Sequence, residues 1–413
     1  MKSLLVFLLL VLASLPALAQ SNADYHYSGQ VFIDPASGHL RADWLITVLD
    51  ETATKVEFKI NDSLGNFHIA GSGVASGSVV KESGFGRWWT LRVTLAEPAP
   101  YRVIQLSYDG VLLPEPMDNG INSIGEERIE LSVDSFWFPI DERFAQEFSA
   151  DLDLRIGEDG WQGVTTGEIT AIDGGFRIHN ADPRMDIALT LAKEFHVTEA
   201  DGFTVYDQRE HREGTDRLLA AARFCVDFLN SHFGADDPLP VGKILVTERA
   251  ESGYARENYI VFTDIAETEP APMTRFVCHE FAHYWASGAK FDTVDNWINE
   301  ALAEYLGALA VRTQLGQEAF EDMLEKFREQ IAEMELPHVW KQGDTERTPY
   351  LVQYRKAPLL LAELEQRIGA KLFIEFVRAY FESEDKTTPG LLAVLEDVAG
   401  TDHRDAFEEM LGQ

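Results

Sequence analysis

The residues His279-Glu280-Phe281-Ala282-His283 restrict this chain more than anything else in it. In a helix, positions four apart lie one turn from each other on the same face, so His279 and His283 point the same way. Glu280 projects roughly 100° round from His279. The flanking Phe276, Val277, Tyr284 and Trp285 make the segment apolar on most sides, which predicts a buried helix. Imidazoles and a carboxylate inside it are costly unless each has a partner. Two readings meet that demand. The histidines are hydrogen-bonded core residues, or they share one metal ion with Glu280 beside it as general base for water.

A second signal favours the metal. Sixteen residues intervene between His283 and Glu300, which opens a further helical pattern, Glu300-Ala-Leu-Ala-Glu304-Tyr-Leu-Gly-Ala-Leu. A loop of that length lets the second helix fold back on the first and deliver a carboxylate. Three protein ligands and one open position describe a catalytic zinc site rather than a closed structural one. The expectation is one Zn2+ per chain, held by His279, His283 and Glu300.

The start of the chain reads as a secretory signal over residues 1–19. Met1-Lys2 gives a basic head, Leu4 to Leu15 an apolar run too short to span a bilayer comfortably, and Ala17-Leu18-Ala19 a cleavage site. The protein is therefore expected to be exported, periplasmic or secreted, with no membrane association after signal removal. A net charge of −34 over 413 residues repels nucleic acid and anionic lipid, so neither is an expected partner. Only Cys225 and Cys278 are present, which excludes a disulfide framework. Cys278 points away from the ligand face and reads as a buried apolar thiol; spacing leaves its pairing with Cys225 open.

Residues 20–199 show short alternating strands, among them Lys55–Ile60, Trp88–Leu95, Tyr101–Tyr108 and Phe148–Ile156. Turn clusters at Gly71-Ser-Gly, Asp118-Asn-Gly and Asp173-Gly-Gly separate them. That layout predicts an all-β sandwich. From residue 200 to 413 the pattern changes to an amphipathic helix ending at Phe233, strands Lys243–Thr247 and Tyr259–Phe262, and then long helices to the end. The fold class is α+β in two domains, the second mostly helical with the histidine helices at its centre.

Several further motifs, taken in order, resemble the zinc aminopeptidases that include membrane alanyl aminopeptidase and leukotriene-A hydrolase. Phe138-Pro139-Ile140-Asp141-Glu142 is similar to that family's F-P-C-F-D-E segment. His279 to Trp285 resembles its H-E-x-x-H-x-W, Trp297-Ile298-Asn299-Glu300 its W-L-N-E, and Tyr354-Arg355-Lys356-Ala357 its Y-x-K-G. The loop between His283 and Glu300 is two residues shorter than the family's usual spacing, and Glu304 lies one turn beyond Glu300. The resemblance implies a saddle-like β domain, a thermolysin-like catalytic domain, and a short form without the family's large C-terminal helical domain.

It also implies roles. Glu280 would be the general base and Tyr354 the donor that stabilises the oxyanion. Tyr254-Ala255-Arg256-Glu257-Asn258 resembles the exopeptidase motif G-A-M-E-N, which makes Glu257 the anchor for a substrate's α-ammonium, with Glu130 as a second acid. Arg256 would then stand where a cation disfavours a basic substrate end or pairs with a substrate carboxylate. Peptides are the implied substrates and removal of N-terminal residues the implied activity. The alternatives are an endopeptidase with an open cleft and an inactive, zinc-bearing peptide-binding protein.

Overall fold

The computed structural model describes residues 23–81, 88–113, 123–142, 146–247, 253–256, 258–263, 265–266 and 268–413. The signal segment, the Asp118-Asn-Gly cluster and Glu257 lie outside the described residues. The fold is mixed α+β, with strands dominating the first half and helices the second.

The first half is built on a seven-stranded sheet. Its order is Glu168–Ile172, Gly175–Arg184, Phe148–Ile156, Tyr25–Asp34, His39–Val48, Arg102–Val111 and Leu64–Ala70. Tyr25–Asp34 runs parallel to Phe148–Ile156, and the other pairings are antiparallel. Alternation in His39–Val48 decides which face is core. Leu40, Ala42, Trp44, Ile46 and Val48 are buried, while Arg41, Asp43 and Leu45 are exposed, the period-two pattern of a sheet with one dry face. Tyr27, Trp44, Trp137, Phe138 and Phe148 fill that core together with Phe58 and Leu91 of a four-stranded sheet. A second four-stranded sheet comprises Gln162–Thr165, Leu189–Ala192, Arg128–Leu131 and Ser123–Ile124.

A five-stranded sheet begins the second half, in the order His196–Ala200, Phe203–Asp207, Lys243–Val246, Tyr259–Phe262, Tyr254–Arg256. The three central strands are parallel and Tyr254–Arg256 is an antiparallel edge. Among the described residues the α-helices are, in chain order, α1 (Arg212–Phe233), α2 (Pro270–Ala282), α3 (Asn296–Leu315), α4 (Gln317–Ile331), α5 (Ala357–Ile368), α6 (Ala370–Glu382), α7 (Thr388–Ala399) and α8 (Thr401–Leu411). Gly316 and Gly400 separate α3 from α4 and α7 from α8 with φ of 98° and 92°, a region where a side chain would clash. Helix α3 is buried almost all round from Trp297 to Val311, as a helix in the middle of a bundle must be.

The two halves meet along a packed seam. Val164, Ala188, Ala192 and Phe195 touch Leu245, Tyr254, Tyr259 and Val261. Lys243 Nζ donates to the Thr165 carbonyl at 2.8 Å. Arg256 donates to Asp186 at 2.8 Å and to Asp134 at 3.1 Å. Burial pushes the Asp186 carboxyl up to about 6, against the pull of Arg256. The Arg256 charge is thus matched by two aspartates of the β-rich half and is not held in reserve for a substrate end, which corrects the expectation for that residue.

The cysteines correct a second expectation. Cys225 of α1 and Cys278 of α2 form a disulfide, with Cα atoms 5.1 Å apart, and both side chains are fully buried. Periodicity places each cysteine on the inward face of its helix but carries no information on how two helices approach, so pairing was not readable from spacing. The bridge closes a sequence separation of 53 residues and removes conformations from the unfolded chain. Replacing both cysteines by alanine is expected to lower unfolding free energy by about 2–4 kcal/mol. Denaturant titration checks it, and the parent in strong reductant should shift in the same direction.

Candidate active site

The H-E-x-x-H segment occupies the last turn of α2. The helix ends at Ala282, and His283 caps it in αR geometry with φ −60° and ψ −13°, so His279 and His283 keep their one-turn relation. Helix α3 crosses beside it. The approach is close at Gly307, where an added Cβ would stand 2.6 Å from the Arg275 carbonyl oxygen. Only a residue without a side chain lets the helices come this near, and that proximity gives the α3 carboxylates their reach.

Glu300 opens towards both imidazoles. His279 Nε2 and His283 Nε2 are 3.2 Å apart, and Glu300 Oε2 lies 3.5 Å from His283 Nε2 and 3.8 Å from His279 Nε2. A tetrahedral zinc with bonds of about 2.0–2.2 Å keeps its ligands about 3.4 Å from one another, so the three atoms already stand near the right separations. Glu300 Oε2 is buried without a hydrogen-bond partner, an arrangement that is costly unless a cation faces it. Among the described residues this is the one group of three such side chains whose ligand atoms fall within 4.8 Å of one another. The residues fit the ion.

The outer ring nitrogens are held from behind. His283 Nδ1 lies 3.1 Å from the Ala286 carbonyl and His279 Nδ1 lies 3.0 Å from Glu304 Oε2. Such partners fix the tautomer that leaves Nε2 free for a metal. Burial alone would lower the His283 pKa, but the Glu300 and Glu280 carboxylates outweigh it and hold it at about 9. Burial likewise opposes ionisation of Glu300, yet His283 and His279 bring it down to about 2. The cluster attracts positive charge at the point where the three atoms converge.

The Trp297-Ile298-Asn299-Glu300 motif does structural work on the same scale. Trp297 Nε1 donates to Thr388 at 3.0 Å in α7. Asn299 grips the loop at Ala289 through both backbone groups, at 2.8 and 3.2 Å. Asn296 donates to Gln353 at 2.8 Å, which ties the start of α3 to the segment bearing Tyr354. Together they fix the shortened loop and the helix start from which Glu300 projects.

Tyr354 sits in a π-helical turn, Val352–Lys356, that runs into α5. Its cause is local: Pro358 has no N–H to give the Tyr354 carbonyl, and the Ala357 N–H reaches back to Val352. The Tyr354 ring stacks on His279, with centroids 5.6 Å apart, and on the exposed Tyr350 at 4.3 Å. Burial first, then the charges of Glu300 and Glu280, raise its hydroxyl pKa well above the usual value, so it stays protonated as a donor. Glu280 is buried on α2, and its charge is felt at both His283 and Tyr354.

Glu130 stands elsewhere in character. It is fully buried on Arg128–Leu131, opposite Thr190, whose hydroxyl is 2.6 Å from that of Tyr259. This puts it at the seam between the halves. Glu304 was visible in the sequence as a second acid one turn beyond Glu300, but its place beside His279 Nδ1 and the roles of Arg275 and Arg355 around it were not. The i,i+4 spacing of Glu300 and Glu304 was the signal, since one helix face carries both.

No family model matches the sequence, and no curated protein matches it. Solved structures do match in fold. The M1 zinc metallopeptidase from Deinococcus radiodurans superposes with a TM-score of 0.68 over 94% of each chain at 14% identity. A mutant of that enzyme bound to a Tyr-Ser-Ala substrate gives a TM-score of 0.67, again over 94% of each chain at 14% identity. Leukotriene A4 hydrolase from Saccharomyces cerevisiae gives 0.71 at 14% identity, over 95% of this chain and 69% of that one. The chain has the fold of these enzymes along nearly its whole length.

Proposed function

We propose that the protein is a zinc-dependent aminopeptidase acting on peptides. The observation that carries the reading is the convergence of His279 Nε2, His283 Nε2 and Glu300 Oε2, with Glu280 and Tyr354 beside them, on a fold shared with zinc metallopeptidases. His279, His283 and Glu300 would hold one ion per chain. When bound, zinc polarises a carbonyl and lowers the pKa of water at the site.

The chain's own residues supply the proton handling. Glu280 takes the proton of the attacking water as its oxygen bonds to the peptide carbonyl carbon, and delivers it to the departing amine nitrogen as the C–N bond breaks. Tyr354 donates a hydrogen bond to the carbonyl oxygen while that oxygen gains charge. Glu257, with Glu130 as a second acid, accepts the substrate's terminal ammonium. The tripeptide bound by the Deinococcus radiodurans mutant supports peptides as the substrate class. Export by residues 1–19 belongs to the same reading, and the Cys225–Cys278 bridge agrees with an oxidising compartment.

Glu280→Gln separates fold from chemistry. The variant should retain zinc and melt like the parent while hydrolysis falls by a factor of about 10² or more, because the amide cannot take the proton. Turnover near the parent's level would remove Glu280 as the base.

The exopeptidase claim turns on the free N-terminus. An ammonium paired with a carboxylate in a partly dry cleft forms a strong charge-assisted contact, which acetylation abolishes. Free peptides should lose residues one at a time, and N-acetylated copies should stay largely intact in a parallel digestion followed by mass spectrometry. Internal cleavage of the acetylated peptides at a similar rate would make the protein an endopeptidase.

A further inference from the structure

Glu304 carries more than a packing role. It is fully buried, one turn beyond Glu300 on the same face of α3, and the two carboxylates approach opposite nitrogens of one imidazole. Glu300 faces His279 Nε2 at 3.8 Å and Glu304 faces Nδ1 at 3.0 Å. A carboxylate alone in this interior would be costly, and two guanidiniums match it. Arg275, one turn before His279 on α2, reaches both Glu304 oxygens at 2.6 and 2.7 Å, and Arg355 Nη1 reaches Oε1 at 2.8 Å.

The Arg355 contact leads further. The same Nη1 donates to the Tyr354 carbonyl at 2.7 Å, the oxygen that Pro358 leaves without its helical N–H. The guanidinium also lies over the Phe327 ring at 4.7 Å and contacts the Gln330 side chain, so α4 fixes it from outside. A short path of polar contacts therefore runs from His279 Nδ1, 3.0 Å from Glu304 Oε2, through the hydrogen bonds of Arg355 to Glu304 and to the backbone of Tyr354, whose own ring stacks on His279.

We propose that Glu304 is a positioning residue shared by the metal ligand and the oxyanion donor. It sets the orientation and tautomer of His279 and, through Arg355, the placement of the Tyr354 hydroxyl relative to the zinc. This rests on the zinc peptidase reading above. Glu304 touches neither substrate nor the proposed ion. It makes one buried charge responsible for keeping two reacting groups in register.

The test measures zinc affinity by chelator competition, and turnover at saturating zinc, in four single variants and two double variants. Glu304→Gln should bind zinc about 10–100-fold more weakly, the usual cost of removing a carboxylate behind a ligating histidine. At saturating zinc its kcat should also fall, with KM little changed. Arg355→Met should keep zinc affinity within about 2-fold of the parent and lose kcat alone. Both kcat losses should largely vanish when introduced into Tyr354→Phe, because residues acting through one group are non-additive. Glu304→Asp keeps the charge with a shorter reach and should fall between parent and Glu304→Gln, which keeps the test decisive if the amide fails to fold. Unchanged zinc affinity in a well-folded Glu304 variant, or kcat losses that simply multiply with Tyr354→Phe, would overturn the proposal. A parent that binds no zinc or cleaves no peptide would instead sink the peptidase reading.

Discussion

The grip of α3 on the His279 ring is the interaction on which the rest depends. A buried imidazole has a carboxylate facing each of its nitrogens, the two one helical turn apart on α3, at 3.8 and 3.0 Å. Neither carboxylate could sit in a dry interior alone. Glu304 is stabilised by Arg275 and Arg355, whereas Glu300 Oε2 has no hydrogen-bond partner and faces the point where the two Nε2 atoms converge. That unpartnered oxygen, beside two imidazoles, marks where a cation belongs, and so the fold's electrostatics lead directly to the chemistry.

Much of the remaining structure keeps α2 and α3 in that relation. Gly307 lets them approach, and the Cys225–Cys278 bridge ties α2 to α1 one residue before His279. Asn299 and Trp297 fasten the loop and the α7 contact around the start of α3. On the far side, Arg256 joins the edge strand Tyr254–Arg256 to Asp186 and Asp134 of the β-rich half. The two halves are thereby fixed to each other beside the segment that resembles an exopeptidase motif.

Local spacing made the centre of this site legible, and anything set by the meeting of distant elements was not. His279, His283 and Glu280 could be placed because four residues make about one helical turn, and Glu300 because its own helical pattern began at a length of loop that allows return. Strand patterns placed Lys55–Ile60, Trp88–Leu95 and Phe148–Ile156 to within one residue of the strands Lys55–Asn61, Trp88–Leu95 and Phe148–Ile156, since each has a clear change of residue type at its ends. Tyr354 came only from resemblance; the π-helical turn that presents it starts from the missing Pro358 N–H, and its place beside the site is set by the Asn296–Gln353 bond to α3. The disulfide, the two aspartates matching Arg256 and the partners of Glu304 all join elements far apart in sequence, where periodicity is silent.

The central claim is that three atoms on α2 and α3 hold zinc. Anomalous X-ray diffraction above and below the zinc absorption edge, on crystals of protein purified without added metal, tests it most directly. The account predicts a single strong peak present only above the edge, within about 2.0–2.2 Å of His279 Nε2, His283 Nε2 and a Glu300 oxygen. A map with no peak at that point, or with the ion bound by Glu304 in place of Glu300, would contradict it.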